Sequence, residues 1–293
     1  LILILSASCY RHGQNEALYN SAKNVSAINV YADSLNPVEE GNGTLYYTID
    51  ITGLQTFPGY YEHGKPLQTL LKTNEGCISP ALIGMEIPAA GKNEFVISNI
   101  KNISQNLDMS SGIADSRFLL FGQPVHVITI CHPYYNMISV KIASGFIRDK
   151  NFRIRLYVPT ENDIENEKRQ VSLVSDSNNV AIIAVNSTRA FYKILIWKNN
   201  AELSENVSGI FYLEPPSADS VYSFSCQFLV KDSTGRIQTF GETETASKKI
   251  WSQFWNNGSL GDRDRYQNGK EDEISYIRQQ YLGRILSCED QDK

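Results

Sequence analysis

Residues 152–158 read Phe-Arg-Ile-Arg-Leu-Tyr-Val. Phe152, Ile154, Leu156 and Val158 fall on one side of an extended chain, and Arg153, Arg155 and Tyr157 fall on the other. Side chains of a strand alternate between faces, so this stretch predicts a strand with one buried and one wet face. The pattern recurs upstream. Leu45, Tyr47, Ile49 and Ile51 alternate with Tyr46, Thr48 and Asp50, and Ile138, Val140 and Ile142 alternate with Ser139, Lys141 and Ala143. Fuller apolar runs at Phe118–Phe121, Val125–Cys131, Val180–Val185 and Phe191–Trp197 predict more central strands. Between Ala27 and Phe240 about fifteen strands are expected, joined by clusters of Gly, Pro, Asn, Asp and Ser. No stretch of helical period interrupts them to make parallel crossovers. The predicted fold is therefore mainly β, a large antiparallel β-sandwich burying its apolar faces against each other.

The end of the chain changes period. Thr243–Trp255 can form a short helix carrying Ile250, Trp251, Phe254 and Trp255. Ile274, Ile277, Tyr281, Ile285 and Cys288 recur at three- and four-residue intervals behind Glu271, Asp272 and Glu273, which suit a helix N-terminus. The expected organisation is a sandwich over 9–242 and a helical, linker-like extension over 243–293. The polar segment Pro159–Arg169 is either a protruding loop of one sandwich or a boundary near Glu165.

The chain has 293 residues, 42% hydrophobic and 20% charged, with a net charge of −5. Such a chain can bury a sizeable core, and its composition is not that of a disordered segment. The acidic balance offers no basic footprint for nucleic acid. No apolar run approaches the roughly 18 residues that a spanning helix needs.

Leu1–Leu5 followed by Ser6, Ala7, Ser8 and Cys9 is similar to the end of a secretory signal cleaved after Ser8, although a buried strand would read alike. Six Asn-x-Ser/Thr sequons, at Asn24, Asn42, Asn102, Asn186, Asn206 and Asn257, agree with an exported glycoprotein. Five cysteines, Cys9, Cys77, Cys131, Cys226 and Cys288, predict up to two disulfides and one leftover, with Cys77, Cys131, Cys226 and Cys288 as candidates and the connectivity left open. No Cys-x-x-Cys spacing suggests a zinc ribbon or redox pair.

Chemistry-bearing motifs are sparse. There are four histidines, at 12, 63, 126 and 132, and no His-Glu-x-x-His, Gly-x-Ser-x-Gly or phosphate-binding loop. His126 and His132 would lie about 20 Å apart on one strand, too far to share a metal. No cofactor is expected. Asp33-Ser34, Asp115-Ser116 and Asp232-Ser233 read as turn dipeptides, Asp115-Ser116 as the turn before Phe118. A dispersed Ser/His/Asp site stays open, because triads are set by geometry. Tyr60-Tyr61 after Pro58-Gly59, and Tyr134-Tyr135 after His132-Pro133, are candidate ligand contacts for a sugar ring or a protein. Alternatively, one Tyr of each pair plugs the underside of its loop.

Trp251-Ser252-Gln253-Phe254-Trp255, then Gly258, then a stretch with Glu271, Glu273, Gln280, Tyr281 and Leu282, resembles the segment behind the N-terminal β-supersandwich of six-hairpin glycoside hydrolases of the maltose phosphorylase and acid trehalase type. Leu107-Asp108-Met109 with Gly112 resembles that family's Leu-Asp segment before a strand. His132-Pro133 with Ile138–Ile142 and Ser144 resembles the start of another of its strands. The likeness covers roughly 107–288. It departs where the family's Arg-Arg after the acidic pair is replaced by Ile274-Ser275. The resemblance implies a sandwich and linker helix leading to a helical barrel that holds the general acid and base. The chain is expected to lack that barrel, so no catalytic residue carries over to it. The expected function is a non-catalytic support of an exported carbohydrate-active protein. The alternative is a stand-alone binding module for a glycan or an extracellular protein. A hydrolase with a dispersed site in the sandwich comes third.

Overall fold

The computed structural model describes residues 37–61, 66–74, 76–88, 95–160, 168–207, 209–230 and 235–256, without the side chains of 255 and 256. Sixteen strands run in chain order: β1 (Val38–Gly41), β2 (Leu45–Ile49), β3 (Thr69–Thr73), β4 (Gly76–Ile78), β5 (Leu82–Glu86), β6 (Ile100–Asp108), β7 (Ile113–Leu120), β8 (Gln123–Cys131), β9 (Met137–Ser144), β10 (Arg153–Tyr157), β11 (Arg169–Asp176), β12 (Val180–Ser187), β13 (Phe191–Trp197), β14 (Glu202–Val207), β15 (Ile210–Glu214) and β16 (Val221–Val230). A four-residue helix α1 (Gly145–Arg148) follows β9, and a 17-residue helix α2 (Phe240–Asn256) closes the described chain.

One sheet has eight strands in the order β11-β12-β13-β16-β9-β8-β7-β6. Two four-stranded sheets, β1-β2-β3-β4 and β14-β15-β10-β5, share its core. Gln55 joins the two small sheets: its N–H donates to Ile83 O, while its Oε1 accepts from Ile83 N–H and Thr69 Oγ1–H. All strand pairs are antiparallel. The result is a mainly β protein with the layered form of a sandwich. Strands from either side of Pro159–Arg169 pair with each other, β9 with β16 and β10 with β15.

The alternation at 152–158 is realised in β10, where Ile154 and Leu156 are buried and Arg153, Arg155 and Tyr157 are half-exposed. Two local expectations differ. The run Phe118–Phe121 ends as a strand at Leu120, and Phe121-Gly122 is a two-residue hairpin turn with φ of 50° and 79°. A type I′ hairpin turn requires positive φ at both central residues, and Gly122 accepts it at no steric cost. Strand β2 is buried on both faces, so Thr48 lies in no wet face. Its hydroxyl is hydrogen-bonded to Pro66 O and Gln68 O instead.

Candidate functional site

One end of the sandwich collects the β1–β2, β6–β7 and β8–β9 turns, the segment 235–239 and α2. The β8–β9 loop, 132–136, is held by hydrogen bonds from within and from the β1–β2 turn. His132 is buried, and its Nδ1 accepts from the backbone N–H groups of Tyr134 (3.1 Å) and Tyr135 (3.0 Å). That fixes the tautomer: Nε2 carries the hydrogen and donates to Gln238 Oε1 at 3.0 Å. Burial lowers the pKa of His132, disfavouring the charged ring. It is a structural histidine whose backbone bonds hold the loop.

Asn42 holds the same loop from the β1–β2 turn. Its Nδ2 donates both hydrogens, to His132 O at 3.0 Å and Tyr135 O at 2.8 Å. Its Oδ1 accepts from the N–H groups of Thr44 and Leu45. Thr44 Oγ1 also bonds Asn136 Oδ1. On this braced loop Tyr134 is 63% exposed and Tyr135 38% exposed, with the Tyr135 ring 4.7 Å from the His132 ring.

Helix α2 begins three residues before the predicted Thr243, because Thr239-Phe240-Gly241-Glu242 forms a capping box. Glu242 Oε2 accepts from Thr239 N–H at 2.8 Å, and Glu242 N–H donates to Thr239 Oγ1 at 3.3 Å. These bonds hold the Glu242 carboxyl below its usual range. Phe240, Thr243, Ser247 and Trp251 form the buried stripe of the helix. It lies across the outer face of β8, β9 and β16. The seat is largely hydroxylic: Ser139 Oγ contacts Ser225 Oγ at 2.7 Å and Thr243 Oγ1 at 2.8 Å. Lys141 Nζ stands 4.9 Å from the Phe240 ring centre.

The β6–β7 turn completes the joint. Asp108 accepts from Ser110 N–H, Ser110 Oγ and Ser111 Oγ, and Gly112 takes a φ of 64°. Ser247 Oγ donates to Ser111 O at 2.6 Å. The Trp251 indole covers the face of Gly112 where a Cβ would stand. Leu107–Gly112, His132-Pro133 and Trp251–Phe254, far apart in sequence, thus meet around one helix.

The other candidates are placed elsewhere. Tyr61 is fully buried and Tyr60 half-buried, so that pair mainly plugs its own loop. Burial raises the Tyr61 phenol well above its ordinary value. Asp115-Ser116 is no turn: both residues lie within β7, Ser116 inward and Asp115 outward. Asp115 bonds Arg117 (2.9 and 3.1 Å) and His126 (2.9 Å). Burial opposes its ionisation, yet those two partners hold it below the usual carboxylate range. Arg117 and His126 line an open groove of ≈ 560 Å³ with Pro124, Ala143 and Ser220. His12, His63, Asp33-Ser34 and Asp232-Ser233 lie outside the described residues. Among the described residues no three His, Cys, Asp or Glu side chains cluster as metal ligands, and no helix is long and apolar enough to cross a membrane.

Cys131 and Cys226 are not bridged; both are buried free thiols. Each pairs with Ile138 of β9, from opposite sides. They stand two strand spacings apart, about 9–10 Å, beyond disulfide reach. Burial pushes the Cys226 thiol up to about 12 and also raises Cys131. Cys77 is disulfide-bonded, and neither of these two is its partner. Cys9 and Cys288 lie outside the described residues. Of the sequons, Asn102, Asn186 and Asn206 are exposed, Asn42 is committed to the loop, and Asn24 and Asn257 lie outside.

Two buried acids carried no sequence motif. Asp50 accepts from the N–H groups of Thr52, Thr56 and Phe57 and from Thr52 Oγ1. Burial nevertheless raises its pKa to about 6. Glu40 stands opposite Tyr47 in the β1–β2 pair and accepts from Cys131 N–H at 2.8 Å. Burial raises its pKa well above the ordinary value. Asp50 stands in an alternating run that marked it as part of a half-wet strand, and nothing in the sequence marked either acid as enclosed.

No family model matches the sequence, and no curated protein does. Solved structures with a similar course of chain include a protein described as a kojibiose phosphorylase from the human microbiome, at 9% identity and a TM-score of 0.42, covering 88% of this chain and 37% of that one. A bacterial glucoamylase complexed with acarbose matches at 8% identity and 0.41, covering 87% and 40%. An α-mannosidase of family GH92 from Bacteroides thetaiotaomicron matches at 8% identity and 0.34, covering 87% and 38%. The chain spans 37–40% of the length of these proteins.

Proposed function

We propose that the chain is the sandwich and linker helix of an exported carbohydrate-active protein, bracing a catalytic barrel and itself doing no chemistry. The reaction of the whole protein would be acid/base cleavage of a glycosidic bond. The observation that supports this reading is the joint at α2. The three segments that resemble six-hairpin glycoside hydrolases meet there, through Gly112–Trp251, Ser111–Ser247 and His132–Gln238. A linker helix fixed to the sandwich at several points is what a rigid support requires. The bonding of Asp50 also fits it, because both its carboxylate oxygens accept from backbone N–H groups. The purified chain, assayed on maltose, trehalose and related glycosides, is expected to show no turnover. Turnover that survives purification to constant specific activity would overturn the reading.

A second reading is a stand-alone binding module for a glycan or extracellular protein. It is favoured by Tyr134, exposed on a loop that Asn42 and His132 hold rigid. A rigid aromatic loses little freedom on binding. Glycan-array binding that disappears in Tyr134→Ala would favour this second reading over the first.

A further inference from the structure

The three register shifts among the described strand pairs fall on strands that, among the described residues, have a neighbour on one side only. The eight-stranded sheet ends in β6 and β11, and one small sheet ends in β14. Pairing slips between Lys101 and Ser104 on β6, between Leu173 and Ser175 on β11, and between Glu205 and Val207 on β14. Two exposed sequon asparagines sit in these slips. Asn102, with φ of 50°, is displaced from the β6 ladder, and Asn206 is the residue skipped on β14. The third, Asn186, lies on β12 opposite Gln170 of the edge strand β11. These edges also carry apolar groups open to water: Val207 is 57% exposed beside Asn206, and Val174 on β11 is 60% exposed. An open strand with exposed apolar side chains invites pairing with another copy, and bulges are one device against it.

We propose that Asn102, Asn186 and Asn206 carry N-linked glycans that close these edges to association, while Asn42 stays unmodified as the pin of the β8–β9 loop. In the modification, asparagine Nδ2 attacks the anomeric carbon of an oligosaccharide carried on a polyprenyl diphosphate. The N–C bond forms, the C–O bond to the diphosphate breaks, the amide loses one proton to the transferase, and the polyprenyl diphosphate leaves. The product keeps one hydrogen on Nδ2. Asn42 uses two, to His132 O and Tyr135 O, so a glycan there costs the fold at least one of them. At the other three positions the side chain is exposed; at Asn102 and Asn206 the bulky, hydrated glycan stands over a ladder that is already interrupted, and at Asn186 over the pair with the edge strand β11. This proposal rests on the reading of the chain as exported, and a foreign leader separates the two.

The test is secretion from a eukaryotic host behind a heterologous signal peptide. Enzymatic release of the glycans in H₂¹⁸O marks each occupied asparagine as labelled aspartate. Label is expected at 102, 186 and 206 and not at 42. Secreted monomer without label at those three, or with label at 42, overturns the assignment. The edge role is read by size exclusion after the folded glycoprotein is trimmed with an endoglycosidase, which leaves the sequence unchanged. It is read again in the triple variant Ser104→Ala, Thr188→Ala, Asn206→Gln, which preserves Asn102 in its bulge. A several-fold rise in oligomer at equal concentration is expected in both. Monomer that persists in both overturns the edge role. Because the foreign leader performs the export, a failure of the chain's own first residues to direct secretion would count against export and leave the glycan result standing.

Discussion

Trp251 occupies the space that a side chain at Gly112 would need: a Cβ there would fall within 2.5 Å of the indole Cδ1. Gly112 also holds a φ of 64°, which side-chain-bearing residues rarely adopt. Gly112→Ala is therefore expected to cost about 2–4 kcal/mol, from strain and overpacking together. Trp251→Ala, which empties a buried site, is expected to cost about 3–5 kcal/mol. Both are read by denaturant unfolding, with limited proteolysis to detect release of α2. A Gly112→Ala protein as stable as the parent would mean that helix and turn do not meet in solution.

The His132 ring sets an acid limit. Its folded-state pKa lies below the ordinary 6.5, because burial disfavours the charged ring. The unfolded chain therefore binds the proton first, and stability falls as pH drops below about 6.5. His132→Asn should lose stability at pH 8 through the lost loop bonds and show a flatter acid slope. An unchanged slope between pH 7 and 5 in that variant would remove His132 from the account.

Asp50 is expected to act in the opposite sense. Its carboxyl is raised from the ordinary 3.8 to about 6, so between those values the folded state holds a proton that the unfolded chain has released. This group's contribution to stability declines as pH rises through that window. Carboxyl-carbon NMR of Asp-labelled protein should show one residue titrating near 6. All midpoints near 4 would show that Asp50 is better solvated than its burial implies.

Thiol chemistry separates the three described cysteines. Cys131 and Cys226 should resist an aromatic disulfide reagent in the native state and react on unfolding. Cys77→Ser is expected to destabilise by about 2–5 kcal/mol through the lost bridge. Native-state modification at rates typical of small thiols would show that the inner face of β8 and β16 is open.

The Tyr134 loop distinguishes support from display. Asn42→Ala should cost about 1–3 kcal/mol, since two carbonyls lose their donors. Tyr134→Ala, on the exposed tip, should stay within about 0.5 kcal/mol of the parent in thermal unfolding. A large loss at Tyr134 would mark it as packed instead of presented.

The layered β architecture was legible because it rests on a period of two. Ile154 and Leu156, or Ile138 and Ile142, declare a buried face wherever they are read. Helix α2 was legible in its aromatic stripe but not in its start, because the reciprocal bonds of Thr239 and Glu242 lie ahead of the apolar pattern. What a sequence hides is which faces other layers cover. Asp50 looked wet because it alternates with Ile49 and Ile51, and only the folded turn shows it closed in. Tyr60-Tyr61 and Tyr134-Tyr135 looked alike, yet tertiary neighbours enclose Tyr61 of the first pair and a hydrogen-bonded loop displays the second. The cysteines could not be paired from spacing, because Cys131 and Cys226 flank one strand, the first through a local hairpin and the second through a pairing that skips more than 80 residues.

Strand β16 lies between β13 and β9, the last of the described strands in the middle of the eight-stranded sheet. During synthesis the meander β6–β9 and the ribbon β11–β13 emerge earlier, each with a raw flank awaiting the same ten residues. Until 221–230 leave the ribosome, the two halves have nothing to zip them together. Loop closure across such distances is slow. Joining of the two halves is therefore expected to await β16, and a nascent chain stalled before residue 221 would be the species most in need of a chaperone.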